Sequence, residues 1–357
     1  MKKVVCAMSG GVDSAVAAYI LKQQGYDVIG VTMQIWQKEG REAAAAKGGC
    51  CGLTAVEDAR FVCHALGIPH YVLNFRDIFR TKVIDYFAEE YQNGRTPNPC
   101  IACNRYIKWE SLLEQAIVLG ADCIATGHYS KIETHPDTGR LTIVSSPHGK
   151  DQSYALYNLT QDQLTRTLFP IGGLADKDMV RKIAFDEFGL RVAHKPDSQE
   201  ICFIPDNNHP KFLQEHFGAP LAPGNFVDEA ENVLGAHLGI GHYTIGQRKG
   251  LGMSFGRPMY VKEIDILTGN VVLADEAALF KTHGVIDDIN FMSHIVTDKI
   301  ECRGKIRYSH KAAPCTIWRE KDKLRFVFDT PQRAITPGQS AVFYDNTGRI
   351  ICGGNIL

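Results

Sequence analysis

Apolar and polar positions in the first half of the chain alternate between two periods. "KVVCAM" is a short apolar run, and "DSAVAAYILKQQG", beyond a glycine turn, has helical spacing. "DVIGVTMQIW" and "HYVLNF" are further strand-like runs. Between them, "TAVEDARFVCHALG" carries Thr54 and Glu57 at capping-box spacing and closes on Gly67, which predicts a helix with those limits. "DIFRTKVIDYFAEEYQNG" and "RYIKWESLLEQAIVLG" read as amphipathic helices joined by a cysteine loop, and "ADCIATGHYS" as a strand that ends in polar residues. This rhythm predicts an α/β fold with a doubly wound parallel sheet, whose ligands lie at the carboxyl ends of the strands.

The pattern changes after about Pro205. A Gly- and Pro-rich stretch with short strand-like pieces follows, and from about Lys281 short runs recur between turns: "ECRGKIRYS", "APCTIWRE", "KLRFVFD", "QSAVFYD", "RIICGGNIL". The expected domains are therefore 1–205, a small central domain over 206–280, and a C-terminal β-barrel or sandwich over 281–357. The insert "KEGREAAAAKGG" before Cys50 reads as a surface loop or short helix, and Cys50 and Cys51 as incidental loop thiols.

A length of 357 residues suits two or three domains. The hydrophobic share of 45% and charged share of 22% are those of an ordinary globular protein, and no apolar run approaches the ~20 residues of a membrane span. Only five residues separate Lys3 from Ser9, too few for a secretion signal, so the eleven scattered cysteines are expected to be reduced thiols in a cytoplasmic protein. Net charge is −1, but residues 281–357 hold 12 Lys and Arg against 8 Asp and Glu, a surplus that suits contact with phosphates or simply a solvated surface.

"SGGVDS", from Ser9 to Ser14, sits between the first strand and first helix. Gly10 and Gly11 let backbone approach an anion, the helix amides point at it, and Ser9 and Ser14 add hydroxyls. Asp13 is placed to orient a metal ion or water. The Walker lysine and the dinucleotide G-x-G-x-x-G are both absent. Met33, at the end of the second strand, and Gly127, at the end of a later one, fit the same pocket, although a methionine there is as readily core.

"RTPNPCIACN" holds Cys100 and Cys103 behind Pro97 and Pro99. Zinc, a redox pair, a nucleophile and buried thiols are all consistent with that spacing, but structural zinc would need a second pair. The spacing also fits a pair that opens a helix. Asn98 offers an amide to a base edge. Cys202, in "KPDSQEICFIP", follows a polar loop; its spacing alone favours a half-buried thiol over a mobile sulfur carrier.

Taken together, "AMSGGVDS", "GRTPNPCIACN", "ATGHYS", "KDQSY", "KPDSQEICFI", "YTIGQRKGLG", "KIRYS" and "TPGQSAVFYD" resemble the tRNA-specific 2-thiouridylases, members of the ATP-pyrophosphatase (PP-loop) superfamily with its adenine nucleotide α-hydrolase-like fold. The strings span nearly the whole chain in one order. The resemblance implies an ATP site at Ala7, Met8, Ser9, Gly10, Gly11, Val12, Asp13 and Ser14, completed by Met33 and Gly127. It implies that Cys103 is the nucleophile and Cys202 the persulfide carrier. It implies base contacts at Asn98, Pro99 and Cys100, and tRNA contacts at His128, Lys150, Asp151, Gln152, Arg307, Tyr308 and Gln339.

The implied reaction adenylates the 2-carbonyl of the wobble uridine, at tRNA position 34, and replaces its oxygen by persulfide sulfur. It yields 2-thiouridine, AMP and pyrophosphate, passing through a Cys103–Cys202 disulfide that a reductant resets. Magnesium is expected with ATP; an iron–sulfur cluster on Cys100, Cys103 and Cys202 is the minority version. Implied partners are tRNAs of the Lys, Glu and Gln type and a cysteine desulfurase or sulfur-relay protein, with no membrane. Two alternatives compete: an amide-forming synthetase of the same loop class, which gives Cys202 no role, and an RNA-binding protein with structural ATP, which has no need of Cys103.

Overall fold

The computed structural model describes residues 1–35, 53–146, 150–174, 176–189, 201–218 and 221–357. The insert with Cys50 and Cys51 lies outside them, as do Asp197 to Glu200. The chain divides into two compact units. One comprises residues 1–83, 100–207 and 347–350, the other residues 84–99, 208–346 and 351–357.

The first unit is built on β1 (Lys3–Ala7), α1 (Val12–Gln23), β2 (Asp27–Gln34), α2 (Leu53–Leu66) and β3 (His70–Asn74). After α3 (Arg76–Phe79), a π-helical turn (Arg80–Asp85) leads into α4 (Tyr86–Gln92). Then come α5 (Pro99–Ala102), a π-helical segment (Cys103–Leu112), α6 (Leu113–Val118), β4 (Cys123–Ala125), the hairpin of β5 (Lys131–Thr134) and β6 (Leu141–Val144), α7 (Gln161–Thr165), β7 (Thr167–Leu168) and α8 (Lys177–Phe188). Strands β3, β2, β1, β4 and β7 form one parallel sheet in that order, as the alternating pattern predicts.

Strand β1 is apolar and buried after Lys3 because both sheet faces are covered there. Val4 and Cys6 point into a core shared with Val16, Leu21, Val62 and Val180. Each fully buried aliphatic side chain there contributes about 1.5–3 kcal/mol.

Two local expectations are corrected. The second helix starts at Leu53, so Thr54 lies inside its first turn and not at the cap. A capping threonine needs extended backbone outside the helix, which position 54 does not have. The cysteine "loop" is helical from Pro99 onward. Proline's fixed φ and missing N–H suit a first helical position, so Pro99 starts the helix in place of breaking it.

The second unit holds α4, α9 (His209–Phe217) and a four-stranded sheet, then a barrel. The sheet contains β8 (Gly224–Val227), β9 (Val233–His237), β10 (Tyr260–Asp265) and β11 (Asn270–Ala274), ordered β10-β11-β8-β9. The closed barrel runs β12 (Phe280–Phe291), β15 (Lys323–Arg333), β14 (Ala313–Glu320), β13 (Ile300–Lys305), β16 (Ser340–Tyr344) and β17 (Ile350–Ile356). Period-two alternation places Leu324, Phe326 and Phe328 inside, with Ile317 and Phe343. Closure removes the open edges that a free sheet would expose. Among the described residues, no helix is long and apolar enough to cross a membrane.

Candidate active site

The loop after β1 ends at the amino end of α1, with Gly11 as the N-cap in extended backbone. Gly10 takes φ of +68°, and a Cβ there would lie 2.3 Å from the Ala55 carbonyl oxygen. Both facts demand glycine. The Ser14 hydroxyl donates to the Gly11 carbonyl at 3.0 Å and accepts from the Ser9 N–H at 3.2 Å. The loop is thus pinned by its own serines, and the first-turn amides of α1, which have no partner within the helix, are of the kind that can receive an anion.

Asp13 lies in that first turn. Its Oδ1 accepts from the Tyr129 hydroxyl at 2.6 Å and pairs with Lys177 Nζ at 2.5 Å. Lys177 is one-tenth exposed and opens α8, behind an Asp176 side chain that caps the Met179 N–H. The pair matters because an unpaired carboxylate would repel a phosphate at the same helix end. Gly127 presses on this turn: a Cβ at 127 would stand 2.7 Å from the Asp13 carbonyl carbon. Met33 is half-buried beside Leu73 at the end of β2. Ala7, Met8 and Val12 are buried beneath the loop.

The cysteines divide by position. Cys100 is exposed in the short helix α5, while Cys103 is half-buried where the π-helical segment begins. The pair does open a helix. Cys202 is half-buried, and its neighbour Phe203 packs edge-on against Phe79 at 5.9 Å. Phe79 ends α3, which lies against the Cys103 segment. Cys103 and Cys202 both lie in the first unit, on segments that each pack against α3. Among the described residues, no three or more His, Cys, Asp or Glu side chains group as a metal site.

The implied tRNA contacts fall in both units. In the first, Lys150 is exposed. Asp151 accepts from the Ser146 and Ser153 N–H groups and from the Ser153 hydroxyl, and Gln152 accepts from the Tyr129 N–H at 3.0 Å. These two side chains shape the backbone around Tyr129. His128 is buried between Trp109 and Phe169. Its Nδ1 meets Thr126 Oγ1 at 2.6 Å and its Nε2 meets Lys108 Nζ at 3.4 Å. Burial and the Lys108 charge push its pKa well below the ordinary value, so the ring is neutral. Lysine donates only, so Nε2 accepts and Nδ1–H donates to Thr126.

In the second unit, Gln339 Nε2 donates to the Thr96 carbonyl at 2.8 Å, tying down the segment that leads to Asn98 and Pro99. Arg307 donates to the Ile245 carbonyl and the Thr336 hydroxyl, and Tyr308 is exposed under the ammonium of Lys305.

Sequence reading missed Lys177, Tyr129 and Lys108. Tyr129 sits in the quoted string "ATGHYS", where its hydroxyl was readable. Lys177 meets Asp13 across 164 positions of sequence, with no local signal.

Three family models match in succession: a tRNA methyl transferase HUP domain over residues 2–206, a tRNA methyl transferase PRC-barrel domain over 210–275, and an aminomethyltransferase beta-barrel domain over 281–356. Proteins called tRNA-specific 2-thiouridylase MnmA are similar along the whole chain. That of Lachnoclostridium phytofermentans is 55% identical, covering 100% of this chain and 99% of its own. That of Clostridioides difficile is 53% identical over 100% and 98%. Among solved structures, a 4-thiouridine synthetase–RNA complex with bound ATP matches 61% of this chain and 50% of that one at 18% identity, with a TM-score of 0.38, too slight a likeness to argue from. Identity at this level along the full length means that the chain belongs to the family of tRNA-specific 2-thiouridylases.

Proposed function

We propose that this chain is a tRNA-uridine 2-sulfurtransferase that uses ATP to exchange the 2-oxygen of the wobble uridine for sulfur. The observation that carries the reading is the match of 53–55% identity, end to end, with proteins of that name. The pinned loop and the cysteine-bearing helix supply the chemistry. We keep domain limits at 205 and 280, with nucleotide chemistry in the first part and tRNA contacts in the first and last.

The 2-carbonyl is a poor electrophile because oxide leaves badly. The loop of Ser9 to Ser14 and the α1 amides hold the ATP phosphates while the uridine oxygen attacks the α-phosphorus and pyrophosphate departs. Lys177 takes up the Asp13 charge and leaves the amides for phosphate. Asp13 is also the carboxylate positioned to share a magnesium ion with the phosphates, and magnesium needs only one or two such ligands. Bound there, it would neutralise the leaving pyrophosphate.

Cys202 carries a persulfide from a cysteine desulfurase or relay protein. In one order, the Cys103 thiolate attacks Cys202 Sγ, hydrosulfide leaves, and it adds to C2 as AMP departs. In the other, the terminal persulfide sulfur displaces AMP from C2 first. Cys103 then attacks Cys202 Sγ and frees the thiolated base. Both orders end in a Cys103–Cys202 disulfide, which a thiol reductant must reopen. Among the described residues Cys100, Cys103 and Cys202 do not group as a ligand set, so the scheme is written without an iron–sulfur cluster. Asn98, Pro99 and Cys100 face the target base in this scheme, and Lys150, Asp151, Gln152, Arg307, Tyr308 and Gln339 form or support the surface for tRNA. The buried His128 supports from within.

Nucleoside mass spectrometry tests the reading. A tRNA transcript of the Lys, Glu or Gln type is incubated with the protein, ATP, magnesium and a persulfide donor. Exchange of oxygen for sulfur at position 34, with AMP released, is expected. A methyl group in place of sulfur would transfer the chain to the chemistry named by its family models. AMP without a thiolated base would point to an amide-forming synthetase.

A further inference from the structure

Among the described residues, Lys108 is an ammonium without a counter-ion. Its partners are Asn104 Oδ1 at 2.8 Å and His128 Nε2 at 3.4 Å, both neutral groups. Among the described residues it has no carboxylate partner. It is half-buried, where charges are ordinarily paired. The segment that carries it is π-helical, with hydrogen bonds running from residue i to i+5, so Cys103 and Lys108 stand one turn apart. Helical side chains lean toward the amino end, which carries Lys108 back over the turn that contains Cys103 and Asn104, and the Asn104 bond fixes it there. From its other side, His128 and Thr126 hold the ammonium to the strand end that carries Gly127.

We propose that Lys108 is the positioning residue that holds Cys103 as a thiolate, the anion formed in the reaction being the missing partner of this charge. The inference rests on the reading of Cys103 as nucleophile. An ordinary thiol is only a few per cent ionised at neutral pH, and a fixed cation one turn away raises that fraction on the order of tenfold. A neutral His128 serves this arrangement, since it accepts from Lys108 without competing for the anion. The other titratable side chains on this segment are Arg105, Tyr106 and Glu110; the elements packed against it add Arg76 and Asp77 of α3, Glu114 of α6 and Tyr154, and Lys82 reaches Tyr106. Lys82 and Arg105 are both stacked over the Tyr106 ring, and Glu110 is exposed.

The test is the pH profile of Cys103 alkylation by iodoacetamide, read by fragment-resolved mass spectrometry so that Cys100 is scored separately. Lys108→Gln and Lys108→Met remove the charge, and Lys108→Arg keeps it. Protection of the buried Cys6 and Cys63 reports an intact fold, and the neutral variant that retains it is the one read. The expected result is a midpoint about one pH unit higher in the neutral variant, seen as roughly tenfold slower labelling below the midpoint, with the parental profile restored by arginine. An unmoved profile in the neutral variant, or the same displacement in Lys108→Arg, overturns the proposal. The assay needs no tRNA, so either result stands apart from the thiolation assay, in which Cys103→Ser tests the nucleophile itself.

Discussion

Replacing Gly127 by alanine inserts one methyl group between a strand end and the nucleotide loop. That methyl would stand 2.7 Å from the Asp13 carbonyl carbon and 2.9 Å from both its carbonyl oxygen and its Cβ. Ordinary contact begins at 3.4 Å, so relief needs a displacement of about 0.7 Å (3.4 − 2.7). The obstacle is backbone in the first turn of α1, which cannot swing aside as a side chain can. Overpacking of this kind costs about 1–3 kcal/mol. In the proposed function the larger effect is on activity, because the displaced turn carries the amides assigned to phosphate. A shift approaching 1 Å in a positioning group costs on the order of a hundredfold in rate. Gly127→Ala is therefore expected to lower kcat/KM for ATP by about ten- to a hundredfold, measured as tRNA-dependent AMP release, with a lower Tm. Gly173→Ala is the control. A Cβ there would meet only the Lys131 Cε at 3.8 Å, and both readings should stay at parental values. Parental ATP kinetics in Gly127→Ala would refute the claim that this contact sets the loop.

Other substitutions probe the chemistry and the core. Cys103→Ser and Cys202→Ser should each abolish 2-thiouridine formation while equilibrium ATP binding stays within about twofold, checked by nucleoside analysis and calorimetry. Thr167→Val should cost about 1–3 kcal/mol in urea denaturation, because the buried Trp109 indole N–H loses its acceptor at 2.8 Å. His209 is held at about 4 by burial and by the neighbouring His242. Its unfolded form titrates near 6.5, so between those values the unfolded chain binds the extra proton and stability falls as pH is lowered. From pH 7 to pH 5 the loss at this site is about 2 kcal/mol. His209→Gln should flatten that part of the denaturation profile.

The parallel sheet was legible because its central strands β1, β2 and β4 are largely buried and read as near-continuous apolar runs, and the barrel because Leu324, Phe326 and Phe328 keep strict period two. The strand-to-helix loop of Ser9 to Ser14 was legible as a turn because its glycines, serines and position all lie within a few residues. Contacts between distant segments were not. Nothing near Lys177 announces Asp13, and nothing near Lys108 announces His128. The helical start at Pro99 was hidden for another reason: two prolines in a row of turn-forming residues look like a loop until one of them occupies a first helical turn. The family resemblance gave His128 only as a tRNA contact, and its packing against Trp109 and Phe169 became visible only in three dimensions.

The first unit draws its last piece from residues 347–350, which reach the hairpin late in the chain. Val144 bridges to Arg349, Arg349 pairs with Glu133, and the Thr142 hydroxyl donates to the Ile350 carbonyl. During synthesis, a ribosome that has completed Asn207 has released every strand of the parallel sheet, yet the edge of β6 still lacks its covering segment. That edge stays open while residues 208–346 of the second unit are being translated, exposed to pairing with neighbouring nascent chains. Assembly of the first unit thus waits for residues 347–350, and loss of that segment damages a region whose other parts were made first.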